Sequence, residues 1–257
     1  MRNSGKLFKS LVILIFTALL FSEGMVRANT NTDNQKSSNA RECKNLFKLF
    51  CPPPENVSQE GAPSGRRSAG TRSDCPSITA LVPEPEKNQV LGLTAVDRPT
   101  FWFALDFPSE TILASEVQLK FVMVDPDTEE DIVDLDIPLP EQPGIITVPL
   151  TESEPALEVG KRYGWRLECI ASSGNRKSAY GWIDRVALNP AVSDRLAASS
   201  DREQIDIYGE NGLWYETITA LGQMYRANPQ NNSIQTYWLN LLSDIELAEL
   251  AEQPILP

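Results

Sequence analysis

The stretch Lys161-Arg162-Tyr163-Gly164-Trp165-Arg166-Leu167-Glu168-Cys169-Ile170-Ala171 decides the fold class. Tyr163, Trp165, Leu167 and Cys169 alternate with Arg162, Gly164, Arg166 and Glu168. Pleated with a repeat of two, this chain carries its apolar groups on one side and its charges on the other. Wound as a helix, the same residues would scatter arginines and aromatics around the whole circumference. The stretch is therefore a half-buried strand, and it demands a second apolar layer to cover it.

The same period recurs upstream and downstream. Phe101, Phe103, Leu105 and Phe107 share one face, as do Val117, Leu119, Phe121 and Met123. Val133, Leu135 and Ile137 follow, then Ile146, Val148 and Leu150, and Arg176 to Leu188 completes the set with Tyr180, Trp182, Ile183 and Val186. Short runs separated by Pro, Gly and acidic clusters, with no helical stretch among them, predict about seven strands in an antiparallel β-sandwich over residues 75–188. Leu157 to Trp165 resembles the lead-in to a late strand of immunoglobulin-like and fibronectin-type sandwiches, where a Gly turn precedes a Tyr and alternating apolar residues. That resemblance implies that Tyr163 anchors a corner and takes no part in chemistry.

After Asn189-Pro190 the period becomes helical, with Asn189 set to cap and Pro190 at the first helical position. Helices are predicted at 190–198, 202–210, 213–226 and 233–250, the last broken at Ser243; Ser233 caps that segment, and Ser243 with Glu246 matches a capping box. Trp214, Ile218, Leu221 and Tyr225 form one stripe, which needs a partner. The helix pair resembles part of a tetratricopeptide repeat, through Tyr208, Gly212, Trp214, Leu221 and Pro229. Thr217 and Met224 depart from it, standing where the repeat usually has Ala. Stacked repeats need about three copies, so the single copy implies a lone hairpin in a small helical bundle, residues 189–257, docked on the sandwich. The fold class is mostly β with a helical tail, α+β.

The amino terminus reads as a secretory signal over residues 1–28. Arg2, Lys6 and Lys9 precede an apolar run from Leu11 to Phe21, and Val26-Arg27-Ala28 supplies the cleavage pattern. A run of that length, at about 1.5 Å per residue, is too short for a hydrocarbon core of roughly 30 Å, so no membrane anchor is expected after signal removal. Residues 29–74, rich in Asn, Ser, Gly and Pro, read as a disordered or linker leader. The net charge is −12. The signal contributes four basic and one acidic side chain, and residues 29–74 seven basic and five acidic, so the remainder carries −17. Such a surface disfavours nucleic acid and anionic lipid. Four cysteines in an exported chain allow three disulfide connectivities. The pairing Cys75 to Cys169 and Cys43 to Cys51 keeps one bridge within the sandwich and one within the leader.

No histidine occurs anywhere, which removes the commonest general base, the Ser-His and Cys-His nucleophile pairs and the usual zinc shells. No phosphate loop or dinucleotide fingerprint is present, and no cofactor is expected. Asp125, Asp127, Glu129 and Asp131 could ring a calcium ion, but the run lacks the glycine and distal Glu of a helix-loop-helix site and reads better as a hairpin loop between strands. Arg66, Arg67 and Arg72 could dock the leader onto the acidic body or onto a neighbouring molecule, but read better as solvated linker charge. Trp165 and Trp214 read as core. Trp102, Trp182 and Trp238 are candidates for a contact surface, although packing under the helical tail is the preferred reading for Trp102.

Several segments together resemble the cyanobacterial domain-of-unknown-function family numbered 928. They are Gly65-Arg66-Arg67, Gly70-Thr71-Arg72, Cys75-Pro76, Leu81-Val82-Pro83, Arg98 to Phe103, Pro143-Gly144-Ile145, Gly160 to Tyr163, Gly181-Trp182-Ile183 and Glu210 to Tyr215. The resemblance covers residues 65 to 250 and implies an exported protein of cyanobacterial type, with no catalytic or binding residue to carry over. The expected function is a non-enzymatic interaction or assembly module of the periplasm, cell surface or envelope, with a protein partner and the sheet-helix seam as its contact region. The alternatives are a carbohydrate- or calcium-binding module and a glycan hydrolase using two carboxylates.

Overall fold

The computed structural model describes residues 49–51, 65–68, 74–84, 89–107 and 116–257. These belong to one compact unit, Cys43–Pro257. The signal segment, most of the leader and Cys43 lie outside the described residues.

Eight strands form, β1 (Ser77–Ala80), β2 (Leu91–Thr94), β3 (Thr100–Asp106), β4 (Val117–Asp125), β5 (Glu130–Ile137), β6 (Gly144–Pro149), β7 (Arg162–Ala171) and β8 (Arg176–Arg185). They make a three-stranded sheet of order β1-β3-β6 and a five-stranded sheet of order β2-β8-β7-β4-β5. The deciding stretch is β7, whose alternate residues Tyr163, Trp165, Leu167, Cys169 and Ala171 are buried as the pattern requires. The two sheets face each other through aromatic rings. Phe101 of β3 lies 4.7 Å from Phe121 of β4, and Phe103 lies 5.7 Å from Trp165 of β7. The Cys75–Cys169 disulfide joins a residue two positions ahead of β1 to β7, the central strand of the opposite sheet. Cys51 is also disulfide-bonded.

One ladder departs from the antiparallel expectation, because β2 runs parallel to β8. After β1 the chain crosses from one sheet to the other and joins the far edge in the direction of β8, with Trp182 donating its backbone N–H to the Val90 carbonyl at 2.8 Å. At the opposite corner Gly160, at φ +84°, turns the chain into β7, and the Tyr163 hydroxyl accepts the Glu158 N–H at 3.0 Å.

Four helices follow, α1 (Pro190–Ala197), α2 (Asp201–Glu210), α3 (Trp214–Ala227) and α4 (Asn232–Asp244), then a short 3-10 turn at Ala248–Leu250. Asn189 caps α1 by accepting from the Ala191 N–H, and Pro190 opens it. Two other caps differ from expectation. Asn231, in extended conformation, accepts from the Ser233 and Ile234 N–H groups, which leaves Ser233 inside the first turn of α4. The capping box is built by Ser200 with Glu203, while Ser243 donates back to the Leu239 carbonyl and Glu246 turns the chain at φ +61°. A chain turning there cannot remain one helix to residue 250. Thr217, out of place for a tetratricopeptide repeat, is fully buried facing Gly209 and donates its hydroxyl to the Leu213 carbonyl at 2.7 Å.

Helix α3, backed by α4, covers the outer side of β3 and also meets β2 at Gly92. Trp102, on the opposite face of β3 from Phe101 and Phe103, lies 6.0 Å from Trp238 of α4 and donates its indole N–H to the Thr219 hydroxyl at 3.0 Å. Trp214 donates to the Leu81 carbonyl at 2.8 Å. Two pieces of the leader are packed as well. Phe50 meets the Trp214 ring edge-on at 4.8 Å, and the Cys51 N–H donates to the Gly209 carbonyl at 3.1 Å. Residues 65–68 lie across the two sheets, with Gly65 bridged to Tyr180 of β8 and Arg67 to Thr79 of β1. Arg66 departs from solvated linker charge. It is 7% exposed, donates to the Ile245 carbonyl at 2.6 Å and faces Glu84 at 3.6 Å.

Candidate functional site

The two sheets are unequal, and the mismatch leaves a groove. The five-stranded sheet ends at β5 and the three-stranded sheet at β6. Leu135 and Ile137 stand opposite Phe121 and Leu119 in register, so they share the inward face. Ile146 and Val148 stand opposite Phe103 and Phe101 and also point inward. Beyond β6 no further strand among the described residues faces Leu135 and Ile137, which are half-buried where Val133 on the same face is buried. The resulting groove has a volume of about 780 Å³, is lined by these four side chains with Leu139 and Leu256, and is rimmed by Pro138, Pro140, Pro149 and Pro257. Among the described lining residues Glu141 stands exposed at the rim, while the Asp136 side chain turns to the outer face of the five-stranded sheet and accepts from the Gln118 amide at 2.7 Å.

The floor at one end is the chain's own tail. Ile145 donates its N–H to the Pro254 carbonyl and accepts from the Leu256 N–H, both at 2.8 Å. Gly144 permits this approach, because an added β-carbon would lie 2.7 Å from the Pro254 carbonyl oxygen. An apolar, strand-edged groove of this kind can hold an extended chain by main-chain hydrogen bonds and side-chain burial.

The residues singled out from sequence lie elsewhere. Asp127 and Glu129 lie in the turn between β4 and β5, with Glu129 at φ +58°, while Asp125 ends β4 and Asp131 belongs to β5. Lys161 binds Asp125 at 2.5 Å and approaches Asp127 at 3.6 Å, and Arg166 approaches Asp131 at 3.4 Å. The hydrogen bond from Lys161 holds the Asp125 carboxyl below its ordinary range and the Lys161 ammonium above its own. Among the described residues, no group of three or more His, Cys, Asp or Glu is gathered so as to hold a metal ion. Trp102 and Trp238 are buried in the sheet-helix seam, 1% and 0% exposed, so the seam offers no open aromatic surface there. Trp182 is half-buried, packed over Gly164 with the Arg162 guanidinium 6.0 Å from its ring. Of the proposed bridges, Cys75–Cys169 forms, whereas the Cys43–Cys51 pairing has one end outside the described residues.

A second concavity, about 350 Å³, lies beside α1 and α2 and includes Glu203, Asp206 and Glu210. Each carboxylate is engaged: Glu203 by Ser200, Asp206 by the Tyr237 hydroxyl and Glu210 by Arg195 at 3.0 Å. Ser200 holds the Glu203 carboxyl below its ordinary range. No helix among the described residues is long and apolar enough to cross a membrane.

No curated protein sequence matches the chain. Among solved structures it is similar to the sensor domain of the anti-sigma factor RsgI4 of Pseudobacteroides cellulosolvens, with 11% identity and a TM-score of 0.26 over 44% of this chain and 76% of that one. It is also similar to astrotactin-2, a vertebrate-specific, perforin-like membrane protein, with 10% identity and a TM-score of 0.29 over 68% of this chain and 35% of that one. Both superpositions are too loose to transfer fold or function. Both sheets and all four helices fall within one family match. Residues 62–255 match the Domain of Unknown Function family DUF928, and the chain belongs to that family.

Proposed function

We propose that this is a non-enzymatic interaction module of the cell envelope, exported to the periplasm or cell surface of a cyanobacterial-type cell, whose contact site is the groove between β5 and β6. The observation that carries the reading is an apolar groove bordered by two sheet edges. Open sheet edges are normally covered or blunted, and an uncovered apolar one suits a protein partner. The inter-sheet disulfide supports export, since such bonds persist in oxidising compartments. The absence of histidine from the sequence and the engaged carboxylates of the second concavity support a non-enzymatic role over a glycan hydrolase.

The unequal sheets, the Tyr163 corner and the inter-sheet disulfide support reading the β part as immunoglobulin-like. The turn at Gly212, φ +69°, between packed α2 and α3 supports a tetratricopeptide-like hairpin. The functional test is photo-crosslinking in the envelope fraction of the producing cell. A photoreactive residue at Leu139, in the groove, should give a defined protein adduct that the same residue at exposed Ser193 of α1 does not. Equal adducts from both positions, or none from Leu139, would remove the groove from the reading. A thermal shift with calcium or a glycan panel would favour the carbohydrate- or calcium-binding alternative.

A further inference from the structure

The groove lies where a further strand beside β6 would run, and the tail fills that position only beside Ile145. Neighbouring strands stand about 4.8 Å apart and facing sheets about 10 Å apart. A strand added beside β6 would therefore extend the three-stranded sheet to four and cover Leu135 and Ile137. The tail already makes the first rung, a parallel bridge between Ile145 and Ile255. Because the Ile145 N–H and carbonyl both face the tail, those of Thr147, two residues along an unbroken β3–β6 register, face the same outward side. No backbone hydrogen bond among the described residues carries the ladder on to Thr147, and the Leu256 carbonyl accepts from the Arg226 guanidinium at 3.2 Å. Pro149, the next outward position, has no N–H and ends the usable edge.

We infer that the groove takes an extended segment of a partner protein as a fourth strand beside β6, paired through the Thr147 N–H and carbonyl. This deepens the functional reading above and rests on it. Alternate side chains of the segment enter between Leu135, Ile137, Ile146 and Val148, as the period of a strand requires. Among the described lining residues the charge that faces the groove is Glu141, exposed at its rim, so the segment carries a lysine or arginine beside its apolar positions. The chain's own Ile255-Leu256 is the pattern for such a ligand, an apolar extended piece seated on the same edge.

The test uses the full mature chain, isotopically labelled, and a capped peptide about seven residues long that alternates valine and threonine and has lysine at both ends. Binding should shift the resonances of Leu135, Ile137, Ile146 and Thr147, and slow hydrogen exchange at the Thr147 amide. Methylating the central peptide nitrogens should weaken binding about tenfold, the worth of one or two hydrogen bonds. Replacing the terminal lysines with glutamate should weaken it about three- to fivefold or more. Thr147→Pro removes the outward N–H at an edge position that tolerates proline, and should reproduce the methylation effect while leaving the thermal transition in place. Should that variant unfold, the methylated peptide carries the test alone.

Equal binding of methylated and unmethylated peptides without Thr147 protection would overturn the strand pairing. So would no shift at the groove with saturating peptide. If Leu139 nevertheless gives its defined adduct, the interaction module survives and only the strand chemistry fails. A chain that sediments as a dimer and is released to monomer by the peptide would assign the groove to a second copy and overturn a separate partner protein.

Discussion

The six-membered ring of Trp102 lies against the α-carbon of Gly222, where an added β-carbon would come within 2.3 Å of it. Glycine inside a helix costs about 1 kcal/mol relative to alanine, and the close approach of α3 to the three-stranded sheet offsets that cost. Thr219 and Trp238 hold the ring in place, so it cannot swing aside freely. Gly222→Ala should therefore destabilise the protein by up to about 2 kcal/mol, overpacking outweighing the helix gain. In a Trp102→Ala background the clash is gone, and Gly222→Ala should stabilise by about 1 kcal/mol. Urea unfolding of the four proteins checks that reversal of sign.

The Cys75–Cys169 bond closes a sequence separation of 94 residues. On the chain-entropy model a loop of that size contributes about 4 to 5 kcal/mol. Replacing both cysteines with serine should lower the melting temperature by about 10 °C or more. A double variant that melts with the wild type would mean that the aromatic layer between the sheets sets stability without the bond.

The strand period was legible because one face of β7 meets a dry layer and the other meets water. The same alternation picked out Leu135 and Ile137, yet it could not reveal that they lack a facing strand. That depends on how many strands lie opposite, which is a property of the whole topology. Trp102 showed the limit from the other direction: its face was readable, while Gly222, the residue that makes room for it, carries no side-chain signal. Arg66 looked solvated because composition averages over a segment, whereas its burial follows from contact with the Ile245 carbonyl, 179 positions away. The acidic turn at Asp125 was readable as a hairpin because Pro and carboxylates at that spacing fit a turn with any fold around them.

The leader piece 49–51 is held at α2 by a contact that tolerates no side chain. A β-carbon on Gly209 would lie 2.1 Å from the Leu49 carbonyl oxygen. Gly209→Ala should expel Phe50 from the Trp214 ring, expose the segment to protease and alter tryptophan fluorescence, while the β part keeps its circular dichroism. Arg66→Ala acts on the second piece. It leaves the Ile245 carbonyl without its guanidinium donor, and should cost about 1 to 3 kcal/mol. Limited proteolysis with intact-mass readout distinguishes the two, since the first variant should be cut near residue 50 and the second should melt earlier throughout.

Glu216, in the first turn of α3, is buried, and its Oε1 accepts the Ala95 N–H at 2.6 Å, the Thr94 hydroxyl at 2.9 Å and the Val96 N–H at 3.0 Å. Burial pushes its carboxyl above the ordinary 4.5, outweighing those three donors, which pull the other way. Between 4.5 and the higher folded value the native state binds more protons than the unfolded one, so this group's contribution to stability falls as pH rises through that window. Glu216→Gln keeps the Oε1 acceptor and cannot ionise. Its stability relative to wild type should therefore grow as pH rises through the window, and the two should converge toward pH 4.5. Glu216→Ala instead strands the Thr94, Ala95 and Val96 donors, and should cost at least about 2 kcal/mol at every pH. Urea unfolding at a series of pH values checks both. A Gln variant whose advantage shrinks with rising pH would mean that the three donors outweigh burial and that the carboxylate is the form the fold prefers.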